Sequence, residues 1–507
     1  MSLAVVRSRA LLGLHAPLVQ VEVHISNGLP GLAIVGLPET AVKESRERVR
    51  SALLNAGAEY PTRRITLNLA PADLPKEGGR FDLPIALAIL VASNQLPPES
   101  VERLECLGEL ALDGRLRGVG AVLPAALAAH RAGAILLVAS EDAEEAALVE
   151  GLEVIAADHL LEVVAHLHGR ERLLPRPATT PAHDLAEMPD LRDVRGQHQA
   201  RRALEIAAAG GHNLLFAGPP GTGKSMLAAR LPGLLPPLDQ QRRLEVAMIR
   251  SRCGLAPLGE WGRRPFRSPH HGASPGALIG GGSQPMPGEI TLAHHGVLFL
   301  DELPEFERRA LEGLREPIEC GTVSIARVAR QAIFPAEFQL VAAMNPCPCG
   351  HLGDPRRACR CSAAQIQRYQ ARLSGPLLDR IDLQVEMTAL AADELARQRP
   401  GEASASVRER VVAARRCQAS RGALNARLGS RELEAACALS DAERAWLAHA
   451  LERLGHSTRT YHRVLRVALT IADLQASVRL TREHLMEALG YRQLDRLLRG
   501  DGAKAQR

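Results

Sequence analysis

Residues 213–231 read NLLFAGPPGTGKSMLAARL, and this stretch decides the fold. An apolar run, a glycine-rich turn and a helix-forming run follow one another directly. The turn has the spacing G-x-x-x-x-G-K-[ST] of a phosphate-binding loop, in which backbone N–H groups point at phosphate oxygens and the following helix adds its positive end. The sequence therefore predicts an α/β domain that binds ATP through Gly218, Pro219, Pro220, Gly221, Thr222, Gly223, Lys224 and Ser225.

Two side chains of this loop carry predicted chemistry. Lys224 would reach the β- and γ-phosphates of ATP, and the Ser225 hydroxyl would ligate Mg²⁺. The chain carries nearly all of its positive charge on arginine, and its only lysines are Lys43, Lys76, Lys224 and Lys504. A lysine in the sharp motif of such a chain indicates that a compact ammonium group is needed there.

Two later apolar runs end in polar residues. Residues 296–302, GVLFLDE, describe a buried strand that ends in Asp301 and Glu302. Asp301 would hold the hydration shell of Mg²⁺, and Glu302 would polarise the attacking water. Residues 338–345, FQLVAAMN, end in Asn345. This side chain would position the water near the γ-phosphate or, alternatively, serve only as a turn former.

The chain divides into four predicted parts. Residues 1–173 alternate strand-like and helical runs, as an α/β domain does, and residues 174–192 are rich in proline and small residues, as a linker is. Residues 193–390 hold the ATP motifs on a second α/β unit with a parallel sheet and include a cysteine-rich insert at 347–361. Residues 391–507 show amphipathic helical patterns and predict a helical lid domain.

Composition narrows the function. The apolar fraction of 46% and the charged fraction of 23% are ordinary for a soluble globular protein. Aromatic residues make up only 3%, which argues against a base-stacking surface, and the net charge of +5 permits nucleic-acid binding without requiring it. Because Arg7, Arg9 and His15 interrupt the first apolar runs, we expect a cytoplasmic protein with neither a signal peptide nor a membrane span.

Four stretches of the chain resemble one known family. They are RPFRSPHHGASPGALIGGG (264–282), PGEITLAHHGVLFLDELPEF (287–306), VAAMNPCPCG (341–350) and SGPLLDRIDL (374–383). They resemble the YifB/ComM family of magnesium-chelatase-like AAA+ proteins, and the resemblance extends over about residues 3–495. It implies a hexameric ring ATPase that translocates on branched DNA and drives branch migration during integration of transforming DNA.

The resemblance also implies roles for arginines. In LLDRIDL, Arg380 occupies the position of this clade's arginine finger, which is supplied to the ATP of the neighbouring subunit and offsets negative charge in the transition state. The alternative is a surface arginine paired with Asp379 or Asp382. The run HSTRTYHRVLRVALTIADL resembles the family's second-sensor helix. There Arg459 is the first choice for the phosphate-sensing residue and Arg463 the second.

Part of the N-terminal region resembles the proteolytic domain of Lon proteases. The resemblance rests on LAPADLPKEGGRFDLPIALAIL and LGELALDGRLRGVGAVLPAALAAHRAG. Lon proteases use a Ser–Lys dyad, but the matching positions hold Arg80 and Leu123, neither of which can act as a nucleophile or a general base. We therefore expect the fold without proteolysis, as a positioning or DNA-contacting module.

Four of the nine cysteines lie close together in the sequence. Cys347, Cys349, Cys359 and Cys361 form two C-x-C pairs, which can supply the tetrahedral thiolate set that zinc prefers. The alternatives are replacement of one thiolate by His351, or four free thiols. The other cysteines are scattered, so we expect no disulfide framework.

Two segments are expected to face DNA in the pore of the ring. Residues 263–283 form a glycine-, proline- and histidine-rich insert, and residues 320–334 indicate a hairpin with Arg327 and Arg330 near its tip. Such arginines would contact phosphates without sequence specificity, although an ordinary surface hairpin is the alternative. Two other functions compete with DNA translocation: a metal-insertion ATPase like the motor subunit of magnesium chelatase, and a chaperone-like unfoldase without proteolytic activity.

Overall fold

The computed structural model describes residues 2–492 and 494, apart from 37–39, 77, 179–187, 257, 283–284, 328–329, 390–399 and 455–457. The chain forms two compact units. The first comprises Met1–His183 with Gln240–Trp261, and the second comprises Asp184–Asp239 with Gly262–Arg507. The predicted domain boundaries remain predictions. The units differ from the predicted domains because residues 240–261 belong to the first unit, and because the predicted ATPase core and lid belong to one unit.

The strands are β1 Ser2–Arg9, β2 Leu18–Ser26, β3 Gly31–Val35, β4 Arg64–Ala70, β5 Leu104–Cys106, β6 Glu109–Leu110, β7 Leu116–Arg117, β8 Ile135–Ala139, β9 Val154–Ala157, β10 Leu214–Ala217, β11 Phe266–Arg267, β12 Gly280–Gly281, β13 Met286–Pro287, β14 Val297–Leu300, β15 Thr322–Arg327, β16 Arg330–Pro335, β17 Gln339–Met344 and β18 Leu383–Glu386. The helices are α1 Thr40–Asn55, α2 Asp82–Ala92, α3 Leu123–Arg131, α4 Ser140–Ala146, α5 Leu160–Leu167, α6 His198–Gly210, α7 Lys224–Ala228, α8 Leu231–Leu234, α9 Gln240–Arg252, α10 Pro275–Ile279, α11 Glu289–Leu292, α12 Arg308–Gly313, α13 Arg315–Cys320, α14 Ala363–Gln370, α15 Gly375–Leu378, α16 Ser404–Ala419, α17 Ser430–Cys437, α18 Asp441–Arg453, α19 Thr458–Leu474 and α20 Arg482–Gly490.

The first unit is built on a mixed seven-stranded sheet in the order β3-β4-β2-β1-β5-β8-β9. The pairs β1–β2 and β2–β4 are antiparallel, whereas the outer pairs on both sides are parallel. Helix α2, DLPIALAILVA, is buried at every position. A helix that is apolar all round must lie inside a domain, so α2 forms the centre of this core.

Helix α9 completes a second apolar cluster of the first unit. Ala247 of α9 and the nearby Trp261 are buried among apolar residues of α3, α4 and β8. The Ser251 hydroxyl also donates a hydrogen bond to Glu145 Oε1. These contacts place α9 in the first unit, although its residues lie between ATP-binding segments in the sequence.

The second unit is built on a parallel five-stranded sheet in the order β11-β14-β17-β10-β18. Every residue of β10, β14 and β17 is buried, as expected for strands covered on both faces. Since parallel strands end at the same edge, the residues after β10, β14 and β17 meet there. We call this edge the carboxyl edge and the opposite one the amino edge.

The C-terminal part of the second unit is helical, as predicted. Helices α16, α19 and α20 contribute buried residues to the core that also contains α6 and the central strands. The predicted hairpin is confirmed as well: β15 and β16 pair antiparallel, with Arg327 opposite Arg330 at the turn. The side chains of these two arginines lie outside the described residues. Among the described helices, none combines the length and apolar character needed to cross a membrane.

Candidate nucleotide site

The phosphate-binding loop connects β10 to α7 at the carboxyl edge. Gly221 and Gly223 have φ values of +77° and +90°, in the left-handed region that favours glycine. A Cβ atom on Gly218 would lie 2.2 Å from the Met387 carbonyl oxygen, so this position accepts only glycine. The loop is therefore closed tightly against its neighbours, with α7 beginning at Lys224.

Lys224 lies under the loop and is 7% exposed. Its Nζ donates to the carbonyl oxygens of Gly218 and Pro219, at 2.6 and 2.9 Å, and to Asn345 Oδ1 at 3.2 Å. Burial lowers the pKa of Lys224 to about 8, although the carboxylates of Asp301 and Glu302 oppose the shift. The present acceptors are neutral, so a phosphate anion would be a stronger partner for this ammonium group.

Ser225 and Asp301 meet at the start of α7. The Ser225 hydroxyl donates to Asp301 Oδ2 at 2.6 Å, and Asp301 Oδ1 accepts from the backbone N–H of Glu302 at 2.9 Å. A hydroxyl and a carboxylate are the oxygen ligands that Mg²⁺ uses beside nucleotide phosphates, so the pair fits the predicted ion.

Asn345 follows β17, which lies between the strand of the phosphate-binding loop and the strand of Asp301. The sheet order explains why its side chain reaches Lys224. The structure thus brings Lys224, Ser225, Asp301 and Asn345 together at one edge, through contacts between side chains.

Glu302 has a contact that the sequence analysis missed. Its backbone has a φ of 54°, which is rare for a residue with a side chain. Its Oε2 lies 3.1 Å from Nδ1 of His271, in the insert 263–283. The strand before His271 has only two residues, Phe266 and Arg267, so the sequence gives no signal that it pairs with β14.

Arg380 lies at the amino edge, away from the phosphate-binding loop of its own chain. Its backbone carbonyl accepts from Asn213 Nδ2 at 3.0 Å, and Asn213 immediately precedes β10. The guanidinium pairs with Glu319 Oε1 at 2.5 Å and donates to the Pro376 carbonyl at 2.7 Å. The acid that it contacts is thus Glu319, which the sequence analysis did not consider.

A cavity of about 520 Å³ opens beside Arg380. It is rich in cationic side chains, which are Arg380, Arg427, Arg463 and Arg466. Burial, together with nearby arginines, lowers the pKa of Arg463, although the carboxylates of Asp382 and Asp379 oppose this. Arg459 is on the first turn of α19, but its side chain lies outside the described residues.

A buried polar network holds the amino edge. His212 is fully buried, and its Nδ1 and Nε2 lie 3.2 Å from Asp382 Oδ2 and 2.8 Å from Thr470 Oγ1. Burial alone would raise the pKa of Asp382, but the hydrogen bond with His212 and the arginines nearby lower it overall. Asn425 Nδ2 donates to the same Thr470 hydroxyl, so the network joins the sheet to the C-terminal helices.

The four predicted zinc ligands converge. The sulfur of Cys347 lies 3.5 Å from that of Cys349 and 3.6 Å from that of Cys359, and all four ligand atoms, including that of Cys361, lie within 4.8 Å of one another. Zinc–sulfur bonds of about 2.3 Å in a tetrahedron require sulfur separations of about 3.8 Å, so the cluster fits the ion. His351 instead contacts Asp354, at 3.4 Å.

The cysteine cluster is packed against the phosphate-binding loop. Gly350, inside the cluster, has a φ of +81°, and a Cβ atom there would lie 3.0 Å from the ring of Pro220. The backbone N–H of His351 lowers the pKa of Cys349 to about 6, whereas burial raises that of Cys347 to about 12. A bound cation would favour the thiolate form of both.

The Lon-like positions hold no nucleophile. Arg80 is 7% exposed, and its Nη2 donates to the Gly120 carbonyl at 3.4 Å. Leu123 is fully buried at the start of α3. Both side chains are thus packed in the interior of the first unit.

The chain is similar to known proteins over nearly its whole length. Models of magnesium chelatase subunit ChlI match residues 190–395 and 21–142, and a model of its C-terminal part matches 401–492. YifB of Salmonella typhimurium is 53% identical over 501 residues, which are 98% of each chain. The competence protein ComM of Haemophilus influenzae is 52% identical over 506 residues, 98% of this chain and 99% of that protein.

The N-terminal resemblance is found as well. Lon protease 1 of Bacillus subtilis is 30% identical over 162 residues, which are 29% of this chain and 20% of the protease. The predicted fold class is thus confirmed: a Lon-like α/β domain, a P-loop domain with a parallel sheet, and a helical C-terminal part. The chain belongs to the YifB/ComM family of magnesium-chelatase-like AAA+ ATPases.

Proposed function

We propose that this chain assembles into a hexameric ring that hydrolyses ATP to translocate on branched DNA, as in branch migration during recombination or transformation. The observation that carries the ATPase assignment is the contact set between Lys224, Asn345, Ser225 and Asp301 at one sheet edge. The DNA assignment is supported by full-length similarity to a competence protein and by the arginines at the turn of the β15–β16 hairpin.

The proposed reaction is displacement at the γ-phosphorus. The oxygen of a water molecule, positioned by Asn345, forms a bond to phosphorus while the bond from phosphorus to the bridging oxygen of ADP breaks. Glu302 accepts the proton of the water, and Lys224 offsets the charge on the phosphate oxygens. Mg²⁺, held by Ser225 and Asp301, would supply further charge neutralisation.

The proposal of a ring rests on the positions of the phosphate-binding loop and of Arg380, which lie at opposite ends of β10. The strand has four residues and spans about 13 Å. The phosphate-binding loop follows one end, whereas Asn213, before the other end, holds the backbone of Arg380. An arginine at the amino edge can assist hydrolysis only at the site of another chain. Arg380 and Arg463 line the same cavity, which supports a role for Arg463 near the site that Arg380 would serve. Arg459 stays the first prediction for the phosphate sensor and Arg463 the second.

Glu302→Gln should bind ATP but lose turnover by roughly 10²–10⁴-fold, because only the proton acceptor is removed. Lys224→Ala should instead weaken ATP binding itself. Equilibrium binding of a fluorescent ATP analogue and steady-state phosphate release separate the two effects. Near-normal turnover by Glu302→Gln would remove Glu302 from its role.

Arg380→Ala should keep nucleotide binding and lose hydrolysis by about 10³-fold or more, as other arginine fingers do. Mixing this chain with Lys224→Ala tests whether it acts on a neighbour. Some interfaces of a mixed ring pair an intact loop with an intact Arg380, so partial activity should return. Background activity in rings shown to be mixed would contradict action between chains.

We also propose a structural zinc ion on Cys347, Cys349, Cys359 and Cys361. Elemental analysis of protein purified without chelator should give about one zinc per chain. Cys359→Ser should lose the metal, and the matched control Cys417→Ser, at an exposed cysteine outside the cluster, should keep it. Folded, metal-free protein from zinc-supplemented medium would argue for free thiols.

The competing functions differ in what stimulates hydrolysis. The family models are named for magnesium chelatase, which favours metal insertion as the second candidate; an unfoldase is the third. ATPase rates should rise with forked DNA, and less with linear duplex of equal length. They should not rise with a porphyrin and Mg²⁺ or with a permanently unfolded protein. Stimulation by either of those ligands, and not by DNA, would replace the DNA assignment.

A further inference from the structure

The cysteine cluster begins two residues after Asn345, at the carboxyl edge of the sheet. Strand β17 ends at Met344, whose carbonyl accepts from the Gly218 N–H of the phosphate-binding loop at 3.1 Å. Pro346 then separates Asn345 from Cys347, which is fully buried. The chain thus passes directly from the residue predicted to position the water into the cluster.

The segment that carries the cluster has no regular structure of its own. Residues 345–362 are all described, and they form no helix or strand. The two C-x-C pairs meet through sulfur atoms, since the sulfur of Cys359 lies 3.6 Å from those of both Cys347 and Cys349. A thiol is a weak hydrogen-bonding group, whereas a metal ion on four thiolates binds strongly enough to offset the entropy lost on loop closure. An ion therefore holds this loop closed far more firmly than free thiols do.

Helix α14 connects the cluster back to the strand that precedes it. The helix begins just after Cys361, where the side chains of Ser362 and Gln365 form a capping box. At its other end, Gln370 Nε2 donates to the Pro346 carbonyl at 3.1 Å. The cluster and α14 thus contact the chain around Asn345 from both ends of the helix.

Two more side chains near the end of α14 reach the nucleotide site. Arg372 Nη1 donates to the Pro304 carbonyl at 3.1 Å and to Glu305 Oε2 at 2.6 Å, just beyond the acids that follow β14. Burial raises the pKa of Tyr369, and two nearby carboxylates raise it further, whereas the backbone N–H of Asn345 opposes the rise. The Tyr369 hydroxyl therefore lies at the backbone of Asn345.

The cluster also lies against the phosphate-binding loop. A Cβ atom on Gly350 would lie 3.0 Å from Pro220 Cδ and 3.9 Å from the side-chain carbonyl carbon of Asn345. None of the described residues in the large apolar core of the second unit lies between Asn345 and Ser362. Loss of an ion from the cluster would therefore loosen the nucleotide site locally and leave that core in place.

We propose that the cysteine cluster is a positioning site for ATP hydrolysis, whose metal ion holds Asn345 and the phosphate-binding loop in the arrangement that the transition state requires. This role rests on the proposed ATPase activity and on the proposed zinc site. Lys224 and Ser225 belong to α7, outside the cluster, so ATP binding depends on the ion less than turnover does. A displacement of about 1 Å at a catalytic group can slow a reaction about 10²-fold.

Removal of zinc from the parent chain is the first test. A chelator that prefers zinc to Mg²⁺ should leave folded protein whose turnover at saturating ATP is about 10²-fold lower, and added zinc should restore the rate. Cys359→Ser should show the same loss, whereas Cys417→Ser should keep both zinc and parent turnover. ATP affinity should change far less than turnover. Parent-like turnover in folded, metal-free protein would overturn the proposal.

Tyr369→Phe tests the connection without removing the metal. It deletes one hydroxyl at the Asn345 backbone, so the protein should keep its zinc and its ATP affinity while turnover falls about two- to tenfold, the effect of one hydrogen bond. Added to Asn345→Ala, it should lower turnover no further, because both changes act on the same group. Equal losses in the presence and absence of the Asn345 side chain would contradict action through this residue.

A third measurement needs no turnover. If the ion favours the arrangement of the transition state, ADP with Mg²⁺ and aluminium fluoride must in turn tighten zinc binding, and by more than ADP with Mg²⁺ alone. Competition with a colorimetric zinc chelator measures this, and equal zinc affinity in the two complexes would overturn the proposal. A parent chain that binds zinc but does not hydrolyse ATP would contradict the ATPase assignment, while the competition still tests the positioning role. Folded parent protein that takes up no zinc would contradict the zinc site and this role with it.

Discussion

One constraint fixes the arrangement of the second unit. Strand β10 pairs with β17 on one side and with β18 on the other. Backbone hydrogen bonds fix the register of this buried strand against both neighbours, from Leu214 to Ala217. The phosphate-binding loop and the backbone of Arg380 are attached at its two ends. Neither can move along the strand without breaking the ladder, so the distance between them is set by four residues.

The buried network at the amino edge extends this constraint into the C-terminal helices. Asp473 accepts from Asn425 Nδ2 at 2.7 Å and forms a bidentate pair with Arg421 at 2.7 and 2.8 Å. Thr470, one turn before it on α19, reaches His212. Buried polar groups are costly when one partner is lost, so these contacts favour a single arrangement of helices and sheet.

Much of the site could be predicted because its chemistry is local in sequence. The loop around Lys224 and the acids after β14 follow from short motifs, and their meeting follows from parallel strands ending at one edge. The partners of Arg380 and Glu302 could not be predicted. Glu319 and His271 reach them through the pairing of elements distant in sequence, and many pairings are compatible with the same apolar runs. The role of Arg459 likewise remains a prediction.

The packing of α9 changes the number of chain connections between the two units. If residues 174–192 were the only connection, a single segment would join the first unit to the second. Because Gln240–Trp261 belongs to the first unit, the chain passes between the two units at three places: after His183, after Asp239 and after Trp261. The last two passages lie between α8, which follows the phosphate-binding loop closely, and β11, which leads to His271. The chain therefore leaves the second unit and returns to it between the phosphate-binding loop and the strand that leads to His271.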